Sequence, residues 1–225
     1  MVQIIPHIIS GNTFLLSVNR CIYWVEKKIL ILSDLHLGKT GHFRKAGIAV
    51  PQSVFKEDMQ RLVTQLQSFQ PEQVIIIGDM FHSHGNKEHD LFVKWRRDFG
   101  QLVIHLVKGN HDILNERWYA DAGIQVSNCE LKVDRFVFVH DFNDCTIPEA
   151  DYIFSGHIHP GISIHGVGKQ SLRFPCFYFG DTYAVLPAFS RFTGMYDIRP
   201  KAGENVYALI SPNPSKEQAA GIMKI

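Results

Sequence analysis

The chain has 225 residues, 45% of them hydrophobic and 20% charged, with a formal net charge of +1. That is the make-up of an ordinary water-soluble globular protein with enough length for a real core. It excludes a global electrostatic field that would draw the molecule onto nucleic acid or membrane, so any polyanion contact must be local. Cys21, Cys129, Cys145 and Cys176 are scattered with no CxxC pair and read as core thiols of a reducing compartment. No signal-peptide pattern and no apolar run near the ~20 residues of a membrane span is visible. The expectation is a cytoplasmic protein with no membrane contact, and residues 1–225 forming one domain.

The predicted elements begin with strands. "FLLSVNRCIYWV" is two apolar runs split by Asn19 and Arg20, a hairpin pattern. Residues 27–34, "KKILILSD", form a short buried strand ending in an acid. Residues 50–69 follow a helical period, with Val54, Phe55, Met59, Leu62, Val63 and Leu66 on one face and Pro51 and Pro71 at the limits. Residues 73–79, "QVIIIGD", are a second buried strand with an acidic end. Residues 87–99 read as a helix with Leu91, Trp95 and Phe99 inward. Residues 101–112 give a third strand, and 124–128, 129–141 and 151–159 follow as strands. From Gly161 the pattern becomes hairpins, and the tail from 211 onward reads as loosely packed. Strands alternate with helices first and dominate later, an α/β pattern of packed sheets flanked by helices.

The ends of the buried strands carry the chemistry. They read Asp34-Leu35-His36, Gly78-Asp79, Gly109-Asn110-His111-Asp112, His140-Asp141 and Gly156-His157-Ile158-His159. Strand ends along one sheet edge converge on a common crevice. In an extended segment residues i and i+2 share a face, so Asp34 can point with His36 and His157 with His159. Glycines ahead of these groups let the backbone turn and approach closely. Carboxylate, imidazole and amide oxygen together suit Mn²⁺, Fe or Zn better than Ca²⁺. By chance a D-x-H triplet is expected about once in such a chain, a G-H-x-H about 0.05 times and a G-N-H-D about 0.002 times. The ordered set is therefore the signal, and a lone His140 would read as a structural histidine.

The series D-x-H, G-D, G-N-H-D, H and G-H-x-H over residues 30–160 resembles the calcineurin-like metallophosphoesterases. "LSDLHLGKTGHFRKAGIAVP", "GDMFHSHGN", "GHIHPG" and "LPAFSRFTG" are similar to one branch of that family, the bacterial ligase-associated DNA-damage-response endonucleases. The resemblance implies a four-layer fold, a two-sheet β-sandwich flanked by α-helices, with two divalent cations at the strand ends, Mn²⁺ first and Fe or Zn as alternatives. It implies Asp34, His36, Asp79 and His159 around one cation and Asp79, Asn110, His140 and His157 around the other, with Asp79 bridging. It further implies a bridging hydroxide that attacks phosphorus, with His111 serving the leaving alkoxide and Asp112 either orienting His111 or acting as a turn residue. The implied substrate is DNA, single-stranded or structured, and a ligase and a helicase are the implied associates. A homodimer through the late hairpins is a further expectation.

Two comparisons narrow the ester. The phosphate-gripping Arg of the protein phosphatases is missing, because Asp79 is followed by Met80, Phe81 and His82. Asp112 stands where those enzymes carry Glu. The lipid A pathway pyrophosphatases share the "SDLHL" opening but place Arg at the position of His111. These differences favour a phosphodiesterase. Lys39, His42 and Arg44, beside Phe43, suit a nucleic-acid strand, and His82 and His84 are candidates for lining the substrate groove. The competing readings are a small-molecule phosphodiesterase or pyrophosphatase and a non-enzymatic scaffold, the last disfavoured because every motif is filled.

Overall fold

The computed structural model describes residues 4–39, 53–81, 87–143, 152–166, 170–211 and 220–225. Within them the chain builds two sheets. The first contains β1 (Ile4–Ile9), β2 (Asn12–Ser17), β3 (Cys21–Trp24), β4 (Ile29–Ser33), β5 (Gln73–Ile77), β6 (Val103–Val107) and β7 (Ile124–Ser127), in that spatial order. Strands β1 to β4 pair antiparallel, as short hairpins dictate. Strands β4 to β7 pair parallel. The intervening chain includes helices α1 (Ser53–Phe69), α2 (Lys87–Asp98) and α3 (Glu116–Asp121).

The second sheet is formed by β8 (Glu130–Val133), β9 (Phe136–Val139), β10 (Tyr152–Ser155), β11 (Pro160–His165), β12 (Ser171–Phe179), β13 (Tyr183–Val185), β14 (Tyr196–Asp197), β15 (Asn205–Ile210) and β16 (Gly221–Lys224). Here β9, β10 and β13 run parallel to one another.

The alternation of side chains explains the layering. Ile29, Ile31, Ile75 and Ile77 of the first sheet meet Phe136, Phe138, Phe154, Phe177 and Leu209 of the second in one core. Each such side chain contributes ~1.5–3 kcal/mol by leaving water. The opposite face, with Leu30, Leu32, Val74, Ile76, Ile104 and Leu106, packs against Met59, Leu62 and Leu66 of α1, Phe92 of α2 and Tyr119 of α3. Both faces of β4 and β5 are therefore dry, which is why those strands read as unbroken apolar runs. A third, smaller cluster of Ile162, Cys176, Ile198, Val206 and Ala208 lies on the outer side of the second sheet.

Four local expectations change. Leu91 is exposed, and Phe92 enters the core instead, with Trp95 and Phe99 packed against it. The set 92, 95, 99 keeps the helical period, whereas Leu91 sits about 100° away. Residues 4–9, which carry no clear strand signal, form an edge strand on β2. The tail is not frayed at its end, because β16 pairs with β15 and buries Ile222. Cys21 and Cys176 are buried thiols as expected, but Cys129 is disulfide-bonded.

Candidate metal centre

Parallel pairing aligns the ends of β4, β5 and β6, with Ser33 opposite Ile77 and Ile77 opposite Val107. Strands β9 and β10 end in the same region. Main-chain bonds stitch the departing loops together: the amides of Asp34, His36 and Leu37 donate to the carbonyls of Gly78, Asp79 and Met80. The Gly156 amide donates to the His140 carbonyl. Five polar groups thus meet over strands that are remote in sequence.

The convergence does not come from extended backbone. Asp34, His36, Asp79, His157 and His159 all have positive φ, between 48° and 67°. Non-glycine residues in this region store strain that surrounding structure must hold, and such strain clusters at functional sites. His157 and His159 consequently turn to different halves of the centre rather than to one face. Gly78, at φ +69°, abuts the His140 ring, and a Cβ there would overlap that ring.

In the first half, His36 Nε2 and His159 Nε2 are 3.3 Å apart, and His159 Nε2 is 3.2 Å from Asp34 Oδ1. In the second half, His140 Nε2 lies 3.5 Å from Asp79 Oδ1 and 3.1 Å from His157 Nδ1. Asp79 faces both, with its Oδ2 3.9 Å from His36 Nε2. Ligand atoms at ~2.0–2.2 Å from one cation stand roughly 3–3.5 Å from each other. The observed separations have that scale.

The outward nitrogens fix the tautomers. His140 Nδ1 faces the Ile77 carbonyl at 3.2 Å and His159 Nδ1 faces the Gly194 carbonyl at 3.3 Å. A carbonyl only accepts, so each Nδ1 carries the proton and each Nε2 presents a lone pair to the centre. Asp34 is fully buried, and its Oδ1 accepts no hydrogen bond. A buried carboxylate oxygen without a donor, set among imidazole lone pairs, fits a cation. Asp34, His36 and His159 form one group able to hold a metal, and Asp34, Asp79 and His140 another.

The remaining predicted residues divide. Asn110 is exposed on the turn between Gly109 and His111. His111 donates its amide to Asp79 Oδ1 at 3.0 Å, and its ring, 40% exposed, brings Nε2 to 3.9 Å from Asp79 Oδ2. Asp112 is buried, and its two oxygens accept from the amides of Phe81 and Gly109 at 3.1 and 3.0 Å. This makes it a clasp between the β5 and β6 loops; burial raises its carboxyl to about 7. Lys39 is half-buried, its ammonium pushed down by burial and pulled up by Asp79 and Asp34. His42, Arg44, His82 and His84 lie outside the described residues.

Sequence reasoning missed Asp141 as a participant. Its Oδ2 lies 3.4 Å from His157 Nε2, on the far side of that ring from His140. The adjacent His-Asp pair was the available signal. The carbonyls of Ile77 and Gly194 left none, since any residue supplies one.

With this geometry in view, comparison places the chain. Residues 27–145 match the model of the family described as calcineurin-like phosphoesterase. No curated protein matches. Among solved structures, the "nuclease MPE" of Pseudomonas putida is 27% identical, superposes with a TM-score of 0.78 and shares 92% of this chain and 96% of its own. The match spans the strand ends that carry these carboxylates and imidazoles up to His140, and the chain belongs to the calcineurin-like phosphoesterase family.

Proposed function

We propose that this chain is a two-metal phosphodiesterase that cuts DNA, single-stranded or structured, as an endonuclease of repair in the cytoplasm, with Mn²⁺ as the working ion. The whole chain acts as one unit in this reading, and a ligase and a helicase are its proposed associates. The observation that carries it is a pair of imidazole-carboxylate clusters that share Asp34, with Asp79 facing His36 on one side and His140 on the other, over a chain whose structural neighbour is a nuclease.

The first cation would be held by Asp34, His36, Asp79 and His159, the second by Asp79, Asn110, His140 and His157. Divalent ions held there would supply Lewis-acid polarisation of phosphate oxygens and a more acidic water. The protein's own part is orientation. Ile77 and Gly194 fix which nitrogen of His140 and His159 faces inward. The His111 amide steadies Asp79 while its ring, at the exposed rim, delivers a proton to the departing alkoxide. Lys39 places a cation beside the two carboxylates, where a phosphate would arrive.

The test compares Mn²⁺-dependent hydrolysis of a chromogenic phosphodiester, the matching monoester and a structured single-stranded DNA. Cleavage of the diester and the DNA is the expected result. Diester cleavage alone would assign a small-molecule phosphodiesterase, and no hydrolysis with any metal would assign a scaffold.

A further inference from the structure

A second polar feature adjoins the metal centre. The segment after β13 docks on it through two main-chain bonds, Phe189 amide to Ser33 carbonyl at 2.8 Å and Ser190 amide to Asp34 carbonyl at 3.1 Å. The next residue, Arg191, is exposed and borders a groove of about 480 Å³ lined also by Asn19, Lys56, Gln60, Arg61 and Thr64. Glu57 is the one acid in that lining.

Two cations, buried Arg61 and half-buried Arg20, hold the segment that carries Arg191. Arg20 donates to the carbonyls of Ala188 and Ser190 at 3.2 and 2.8 Å. Arg61 donates to the Phe189 carbonyl and to Asp58 Oδ1, and its guanidinium stacks 4.2 Å over the Phe189 ring. Burial first, then mutual repulsion with Arg61 and Arg191, pulls Arg20 down to about 9. Four cations, Arg20, Lys56, Arg61 and Arg191, therefore face two carboxylates, Asp58 and Glu57. Asp58 is consumed by Arg61 at 2.8 Å. Among the described residues neither Lys56 nor Arg191 is ion-paired.

A fold does not gather repelling arginines without cost. An excess of cations over carboxylates in a cleft focuses the field and concentrates anions. The amide groups of Asn19 and Gln60 suit phosphate and sugar oxygens and read no base. We propose that this groove binds a phosphate of the substrate strand away from the scissile one, so that the enzyme engages a polynucleotide at two places. The inference rests on the DNA reading above and adds the residues that separate a strand from a small diester.

The test uses the metal-loaded protein and the double variant Lys56→Glu, Arg191→Glu. Both side chains are exposed, so the exchange leaves the fold in place. KM for a ten-nucleotide oligothymidylate should rise at least tenfold, while kcat/KM for bis(p-nitrophenyl) phosphate stays within twofold. The log–log salt slope for oligonucleotide binding should fall by about 0.7, the value of one phosphate neutralised on a single strand. Anisotropy of the labelled oligonucleotide in chelator should show the same weakening of binding, because the groove is separate from the metal ligands. Unchanged oligonucleotide KM, or an equal loss on the small diester, would overturn the groove and leave the DNA reading standing. Failure of the unaltered protein to cut the oligonucleotide, with the small diester still hydrolysed, would overturn both.

Discussion

His140 Nε2 and His157 Nδ1 stand 3.1 Å apart, and each ring turns its other nitrogen toward an oxygen. For His140 that oxygen is the Ile77 carbonyl, and for His157 it is Asp141 Oδ2. Two protons drawn outward leave two lone pairs facing each other. A cation between them turns that repulsion into binding, and the oxygens behind the rings tune how strongly.

Asp141→Asn tests this directly. The amide keeps the size but loses the charge that draws the His157 proton outward. Metal affinity of the second position should fall by about ten- to a hundredfold, the usual effect of losing such a partner, while the first position is retained. Titration with Mn²⁺ followed by calorimetry would resolve one weakened step; two unchanged steps would refute the role.

His111→Ala should spare metal content and slow the reaction. A general acid contributes about 10²–10⁴ in rate, but only when the leaving group needs its proton. The loss should be large for an alkyl leaving group and small for p-nitrophenolate. Equal losses on both would assign His111 a different part.

Gly78→Ala puts a Cβ at φ +69° into the His140 ring. The strain and the displaced ring should cost about 2 kcal/mol or more in unfolding free energy and remove most activity. Urea melts and a diester assay read both.

His7 is half-buried, with Nδ1 3.0 Å from the Tyr207 hydroxyl and its ring against Phe179. Burial, then Lys224, lowers its pKa to about 4 from 6.5. Below 6.5 the unfolded chain binds a proton that the folded chain refuses, so stability falls as pH drops from 6.5 toward 4 and is intact above that window. His7→Phe should flatten this part of a urea-melt pH series; an unchanged slope would exclude His7 as its source.

The sequence disclosed the ligand types because metal chemistry requires particular side chains in order, and the parallel strands because both their faces are dry. The means of convergence was hidden. Left-handed backbone at Asp34, His36, Asp79, His157 and His159 is held by cross-loop bonds that no local propensity encodes. The Arg20, Asp58 and Arg61 network was equally invisible, since charged residues on a helix and in a turn read as solvent-facing until tertiary packing buries them. Leu91 and Phe92 compete for one helix face, and the Phe81 and Trp118 rings that meet Phe92 belong to tertiary packing.

The most direct measurement is anomalous scattering from crystals of the intact protein soaked in Mn²⁺. Two peaks ~3.5–4 Å apart are expected, one among Asp34, His36 and His159, the other among Asn110, His140 and His157, with Asp79 between. A single peak, or none at these side chains, would contradict the two-metal reading.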